Sequence, residues 1–277
     1  MNIVFSCDKN YLKYLKVAIF SILKNAKKTS NFNFKIISND LSNEDIENIQ
    51  KLTQIKDFNI ELICINKEMF SDFPLGGISK MAVQTYFKYI IPQLLKNEKL
   101  ALYLDVDVLI REDLEEFYNT AFDDKLAVVV GDFYKRIVEL ENFLGVEYYF
   151  NAGVMLLNLE KMRNQNITKQ LFENTILLKN ANKLTFHDQC VFNYTLNRKV
   201  EFVSPKYNAQ LGLFQTIFQK MYAKEVLDEG IKNPSIVHFT TEKKPWLDNC
   251  PHPFATEYLL YMSQLNKFYD NQCAFDN

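Results

Sequence analysis

Five short apolar runs set the frame for this 277-residue chain: Asn2 to Ser6, Phe34 to Ser38, Ile60 to Ile65, Leu100 to Leu104 and Leu126 to Val130. Segments of a different period separate them. Leu12, Leu15, Ile19, Ile22, Leu23 and Ala26 recur at helical spacing, with Lys13, Lys16 and Lys24 between them, which predicts an amphipathic helix. Ser42, with Asp45 three residues on, predicts a capped helix start ahead of Ile46 and Ile49. Ile78 to Leu95 reads as mostly helical, broken at Pro92. Buried strands that alternate with helices form βαβ units, and such units build a mostly parallel α/β sheet with helices on its faces. Their right-handed crossovers place ligands at the carboxyl ends of the strands. Acids cluster at those ends: Asp8 after the first run, Asp105 and Asp107 after the fourth, Asp132 after the fifth.

The later part of the chain is less regular. Tyr148 to Leu159 is apolar with Asn151 and Gly153 inside it, Leu171 to Leu178 and Cys190 to Leu196 read as helices, and Ser235 to Thr240 as a further strand. That strand runs into a polar loop ending at Trp246, and a short aromatic helix follows from Tyr258. Neither an internal repeat nor a Gly/Ser/Pro linker divides the chain, so a single domain is expected. Lys plus Arg number 32 and Asp plus Glu 34, a net charge of −2, which argues against a nucleic-acid partner. The five cysteines are scattered and odd in number, with no C-x-x-C pair. That excludes a zinc ribbon or thioredoxin motif and fits a reducing, cytoplasmic setting. No secretory leader and no transmembrane stretch is read from the sequence.

The sharpest chemical feature is Asp105-Val106-Asp107 within the apolar run Leu100 to Ile110. Residues two apart on a strand face the same way, so both carboxylates are expected at one spot. Like charges that close need a cation between them, and a divalent metal is the simplest one. His238, in Ile236-Val237-His238-Phe239, offers an imidazole at another strand end. Two carboxylates and one imidazole suit manganese better than calcium or magnesium, which prefer oxygen shells; magnesium is kept as the second choice. Lys243 and Lys244 follow within six residues, and a lysine beside a metal holds a diphosphate as a point charge. Asp188 and Gln189 stand behind His187 at an expected helix start, where an acid also serves as a plain cap.

Taken in order, these segments resemble glycosyltransferase family 8, in particular the bacterial α-galactosyl- and α-glucosyltransferases of lipooligosaccharide synthesis. The matching segments are Ile3 to Tyr11, Phe73 to Leu75 with Thr85-Tyr86, Leu102 to Leu109, Tyr149 to Val154, His187-Asp188-Gln189, and His238 through Lys244-Pro245-Trp246. The resemblance implies a GT-A fold, with 1–110 as a nucleotide-binding half, 111–250 as a sugar and acceptor half, and 251–277 as a tail. It implies Asp105, Asp107 and His238 as ligands of manganese, with Asp105 also near the donor's ribose and sugar. Ser6, Cys7, Asp8 and Asn10 would line the uracil and ribose, and Lys244 would clamp the diphosphate. Asn151, Asp188 and Asp132 would hold the sugar hydroxyls, and Gln189 would lie under the anomeric carbon.

Lys88 and Thr241 depart from the family pattern, standing in for an arginine at donor diphosphate and sugar and for a phosphate-contacting glycine. The family's basic, membrane-docking tail is absent, because Lys267 is the single basic residue of the last 20; weak surface contact at most is expected. The implied reaction is retaining transfer of glucose or galactose from its UDP-sugar to a glycan, glycolipid or glycoprotein acceptor. With glutamine in the nucleophile position, front-face displacement is favoured over double displacement through Gln189 or Asp188. A haloacid-dehalogenase-type phosphatase shares the local Asp-x-Asp, but its strand belongs near the start of the chain. A non-catalytic nucleotide-sugar sensor on the same fold is the alternative of another class. Phe133, Tyr134, Tyr148, Tyr149 and the 214–222 segment read equally as an aromatic acceptor platform or as core.

Overall fold

The computed structural model of the chain describes residues 1–75, 82–215 and 221–273. Ten strands occur among them: β1 (Asn2–Ser6), β2 (Asn33–Ser38), β3 (Asn59–Cys64), β4 (Leu100–Leu104), β5 (Val108–Ile110), β6 (Ala127–Gly131), β7 (Phe150–Asn158), β8 (Val200–Phe202), β9 (Ala209–Gln210) and β10 (Ile236–His238). Seven form one sheet in the order β3-β2-β1-β4-β7-β6-β8, and the rest form a small sheet, β5-β10-β9. The pairs from β3 through β4 are parallel, as the βαβ pattern requires. β7 is antiparallel to both β4 and β6, while β8 runs parallel to β6. Hydrophobic patterning carries no strand direction, so β7 reads in sequence only as a buried run.

Among the described residues, the α-helices of eight or more residues are α1 (Leu12–Asn25), α2 (Asn43–Gln50), α3 (Ile137–Leu144), α4 (Ile167–Asn180), α5 (His187–Thr195), α6 (Lys224–Lys232) and α7 (Ala255–Cys273). The expected Ser42 cap is present as a full capping box: its side chain accepts from the Asp45 amide, and the Asp45 carboxylate accepts from the Ser42 amide. Side chains alternate across the large sheet. Ile3, Phe5, Leu102, Leu104, Val154 and Leu156 enter one core layer with α1, while Val4, Ala101, Tyr103, Met155 and Leu157 enter the other. The small sheet belongs to the first layer through Val108, Ile110, Ala209, Ile236 and Val237. α1 packs against β5 and α7 within that layer, and Val17 to Leu23 are all buried.

Two expectations change. The stretch expected to be helical from Ile78 begins in residues outside those described; from Val83 to Ile90 it is a 3-10 helix, followed by an α turn at Ile91–Leu94. Pro92 sits within the first two residues of that turn rather than ending it, where a missing N–H costs little. The apolar run from Leu100 to Ile110 is also not one strand. β4 ends at Leu104, and Val108–Ile110 cross into the small sheet. Asp105 and Asp107 occupy the break between the sheets.

Candidate active site

The chain's local chemistry brings segments distant in sequence to that break. The Asp105 amide donates to the Gly153 carbonyl at 2.7 Å, which ties the end of β4 to the start of β7. On the far side, His238 faces Val108 in the antiparallel β10–β5 ladder, and the Phe239 amide donates to the Asp107 carbonyl at 3.0 Å. The register therefore carries the imidazole to the acids. Asp105, Asp107 and His238 each offer one donor atom, and these atoms all lie within 4.8 Å of one another. His238 Nε2 is 3.2 Å from an Asp107 oxygen and 3.7 Å from an Asp105 oxygen. Gly153 keeps the space open: a Cβ there would lie 2.3 Å from His238 Cε1 and 2.4 Å from Asp105 Oδ2. A borderline donor set of two carboxylates and one imidazole in a cradle that admits no methyl group fits a divalent cation.

Each carboxylate has a second anchor. Asp105 accepts from the buried Tyr103 hydroxyl at 2.7 Å. Asp107 accepts from Lys244, whose ammonium also donates to the Phe239 carbonyl at 2.6 Å. Burial alone would push the Asp107 carboxyl up, but Lys244 and His238 outweigh it and hold the group well below the usual carboxylate range. Lys88 is 2% exposed. It pairs with Asp188 at 2.9 Å and lies 3.6 Å from Asp105, and it donates to the Ala152 carbonyl at 3.2 Å. Burial opposes its charge, yet the two carboxylates keep it protonated. The other Asp188 oxygen accepts from Thr85 at 2.6 Å.

A polar chain extends from the imidazole to Asp132. His238 Nδ1 meets Asn208 Oδ1 at 2.9 Å, and Asn208 Nδ2 donates to Asn151 Oδ1 at 3.0 Å. Asn151 Nδ2 donates to Gln189 Oε1 at 3.0 Å and to Asp132 Oδ2 at 3.3 Å. Gln189 Oε1 also accepts from the Ala152 amide at 3.1 Å, and its Nε2 donates to Asp132 at 3.0 Å. Asp132 is buried, which raises its carboxyl pKa more than the donors Asn151 and Gln189 lower it.

β1 and β4 pair side by side, Val4 opposite Tyr103, so Ser6 to Asn10 open beside the acids. There Asp8 caps a 3-10 turn by accepting from the Tyr11 amide at 2.9 Å, the Cys7 amide donates to Ile37 at 3.0 Å, and Asn10 is exposed. Trp246 stacks on Tyr14 with centroids 3.5 Å apart, anchoring the loop that carries Lys244. Two members of the site escaped sequence reading. Tyr103 is hidden inside an apolar strand, and Asn208 stands outside every motif, between the turn Pro205–Tyr207 and β9. Of the aromatic residues considered for acceptors, Phe133 and Tyr149 are core at 3% and 0% exposure, while Tyr148 is exposed at 43%; residues 216–220 of the 214–222 segment lie outside the described residues.

The family model described as "Glycosyl transferase family 8" matches residues 2–250. The chain belongs to glycosyl transferase family 8. It is 28% identical over 270 residues to "General stress protein A" of Bacillus subtilis, covering 95% of this chain and 93% of that one. It is likewise 28% identical over 273 residues to "Lipopolysaccharide 1,3-galactosyltransferase" of Salmonella typhimurium, covering 93% and 76%. Its structure superposes on that of galactosyltransferase LgtC, solved with donor and acceptor sugar analogs, with a TM-score of 0.85 at 25% identity, covering 95% of this chain and 96% of the other. This family 8 chain thus has the GT-A architecture, and the Asp105, Asp107 and His238 cluster occupies the seam between its two sheets. Among the described residues no helix is long and apolar enough to cross a membrane.

Proposed function

We propose that this chain is a manganese-dependent, retaining hexosyltransferase that moves glucose or galactose from a UDP-sugar to a glycan or glycolipid acceptor in the cytoplasm. The observation that carries the reading is the convergence of Asp105, Asp107 and His238 on one point beside Gly153. The bound cation would supply positive charge to the diphosphate as it leaves. In this reading residues 1–110 serve the nucleotide and 111–250 the sugar and acceptor, all within one domain. Ser6, Cys7, Asp8 and Asn10 face the nucleoside, and Lys244 exchanges its contact with Asp107 for the diphosphate. Asp132, Asn151 and Asp188 hold the sugar hydroxyls, and Lys88 holds Asp188 in place.

The hydrogen bonds favour front-face displacement. Gln189 Oε1 already accepts from Asn151 and Ala152, and both Asp188 oxygens are engaged by Thr85 and Lys88. Gln189 Oε1 thus has both of its acceptor sites filled, and the Asp188 charge is balanced by Lys88, so both are weak nucleophiles toward the anomeric carbon. In the favoured route the bond from that carbon to the phosphate oxygen breaks as the acceptor oxygen bonds to the same face. The departing phosphate oxygen takes the acceptor's proton. The name of the lipopolysaccharide 1,3-galactosyltransferase relative of Salmonella typhimurium supports a hexose donor and a glycolipid acceptor.

The test is a panel of UDP-sugars with manganese, scored by release of uridine diphosphate, run beside a combined Asp105→Ala, Asp107→Ala variant. Release from one donor, lost in the variant, is the expected result. No release together with no manganese-dependent UDP binding by calorimetry would overturn the reading. UDP binding that needs no metal and yields no turnover with any donor or acceptor would favour a sensor instead.

A further inference from the structure

We infer that Asn208 is a positioning residue that sets the orientation and proton placement of His238 for the metal and, through the same amide, links the metal to the sugar subsite. The inference rests on the metal reading above. Asn208 is 0% exposed, and its backbone is held where its amide donates to Pro205 at 3.0 Å and where β9 joins β10. Among the described residues its side chain hydrogen-bonds His238 Nδ1 and Asn151 Oδ1.

The polarity of this chain of contacts is fixed by a group that cannot invert. The Gly153 backbone amide donates to Asn151 Oδ1 at 3.0 Å, so that atom must be the oxygen. The Asn208 atom facing it must then be a donor, its Nδ2. Asn208 therefore turns its oxygen toward the imidazole, and His238 Nδ1 must carry a proton to meet it. The Nε2 lone pair is left facing Asp105 and Asp107, where a cation binds. Flipping Asn208 alone would set two oxygens against each other, and flipping Asn151 as well would set its NH2 against the Gly153 N–H. The other end of the Asn151 amide is the donor to Gln189 and Asp132, so one backbone N–H orients both subsites.

The experiment measures Mn2+ affinity by electron paramagnetic resonance in the presence of UDP, for the wild type, Asn208→Ala and the isosteric Asn208→Asp, each alone and combined with His238→Ala. Loss of an outer partner of a metal-bound histidine costs about 10- to 100-fold in metal affinity, and that loss is expected for Asn208→Ala. Asn208→Asp keeps the acceptor for His238 Nδ1 but loses the donor to Asn151. It should bind Mn2+ at least as tightly as the wild type, while KM for the UDP-sugar rises several-fold and affinity for UDP itself is unchanged. In the His238→Ala background, Asn208→Ala should cost nothing further in Mn2+ affinity. Equal Mn2+ affinity in wild type and Asn208→Ala would overturn the inference, as would equal losses in the Ala and Asp variants, which would mark a packing role. Failure of the wild type to bind Mn2+ with UDP would instead sink the metal reading on which the inference stands.

Discussion

A single missing methyl group holds the metal cradle open. Gly153→Ala would drive a Cβ into His238 and Asp105, and both contacts are closer than real Cβ atoms tolerate. Manganese affinity should fall at least tenfold, read by calorimetry with UDP, with the circular dichroism spectrum unchanged. Lys88 illustrates another residue-scale balance. Its partner Asp188 has a side chain only 4% exposed, and removing one member of a buried ion pair leaves the other charged without compensation. Lys88→Met should therefore cost about 3–5 kcal/mol, read as a lower urea midpoint at neutral pH; an unchanged midpoint would mean that water reaches Asp188. Part of this site was legible residue by residue, because polar groups stand out against apolar runs: Asp105, Asp107 and His238 do, whereas Lys244 lies in a polar loop and was singled out by its place after His238. Tyr103 and Asn208 do not, because a hydroxyl inside an apolar run and an amide in a short turn look ordinary until their partners, distant in sequence, are in view.

Elements take over where contacts depend on a shared ladder or turn. The capping box of α2 joins Ser42 and Asp45 in reciprocal bonds, and Ser42→Ala should lower stability by about 1 kcal/mol, measured by chemical denaturation. At the base of the small sheet, His252 is packed against the rings of Phe239 and Phe214 at 4.8 and 5.1 Å. Its Nε2 lies 3.2 Å from the Ala209 carbonyl, and its Nδ1 accepts from the Phe254 amide at 3.3 Å. That is the pattern of a neutral ring. Burial pushes its pKa down to about 4, against about 6.5 in an unfolded chain. The unfolded state thus binds the proton first, so the associated stability is complete above pH 6.5 and is lost as pH falls toward 4, about 3 kcal/mol in all. Denaturation midpoints at pH 7.5 and 4.5 should fall further apart in the wild type than in His252→Gln. Local patterns announced α1, α2 and the first four strands. They failed at Leu100 to Ile110, since hydrophobicity cannot tell one long strand from two short ones in different sheets.

At the scale of the whole molecule, the site exists only when both sheets are assembled, because Asp105 leaves the large sheet and His238 ends a strand of the small one. UDP and manganese together should therefore raise the melting temperature, with a stabilisation of about 2.7 kcal/mol at a concentration 100 times Kd. The Asp105→Ala, Asp107→Ala variant should show no manganese-dependent part of that shift. The α/β class followed from alternating periods, which depend on local burial. The reversed β7 and the pairing of β5 with β10 depend on long-range contacts that no local period encodes. One consequence of β7 concerns where the chain tolerates changes in length. The strand meets the site at Asn151 to Gly153 and then runs on in register with β4 as far as Asn158, buried over its first eight residues. One residue added or removed between Val154 and Leu157 would slide its far end by about 3.4 Å and turn each following side chain to the opposite face. The preceding loop at Gly145 to Tyr148 has no such ladder to keep, so insertions that leave transfer intact should collect there and be absent from the strand.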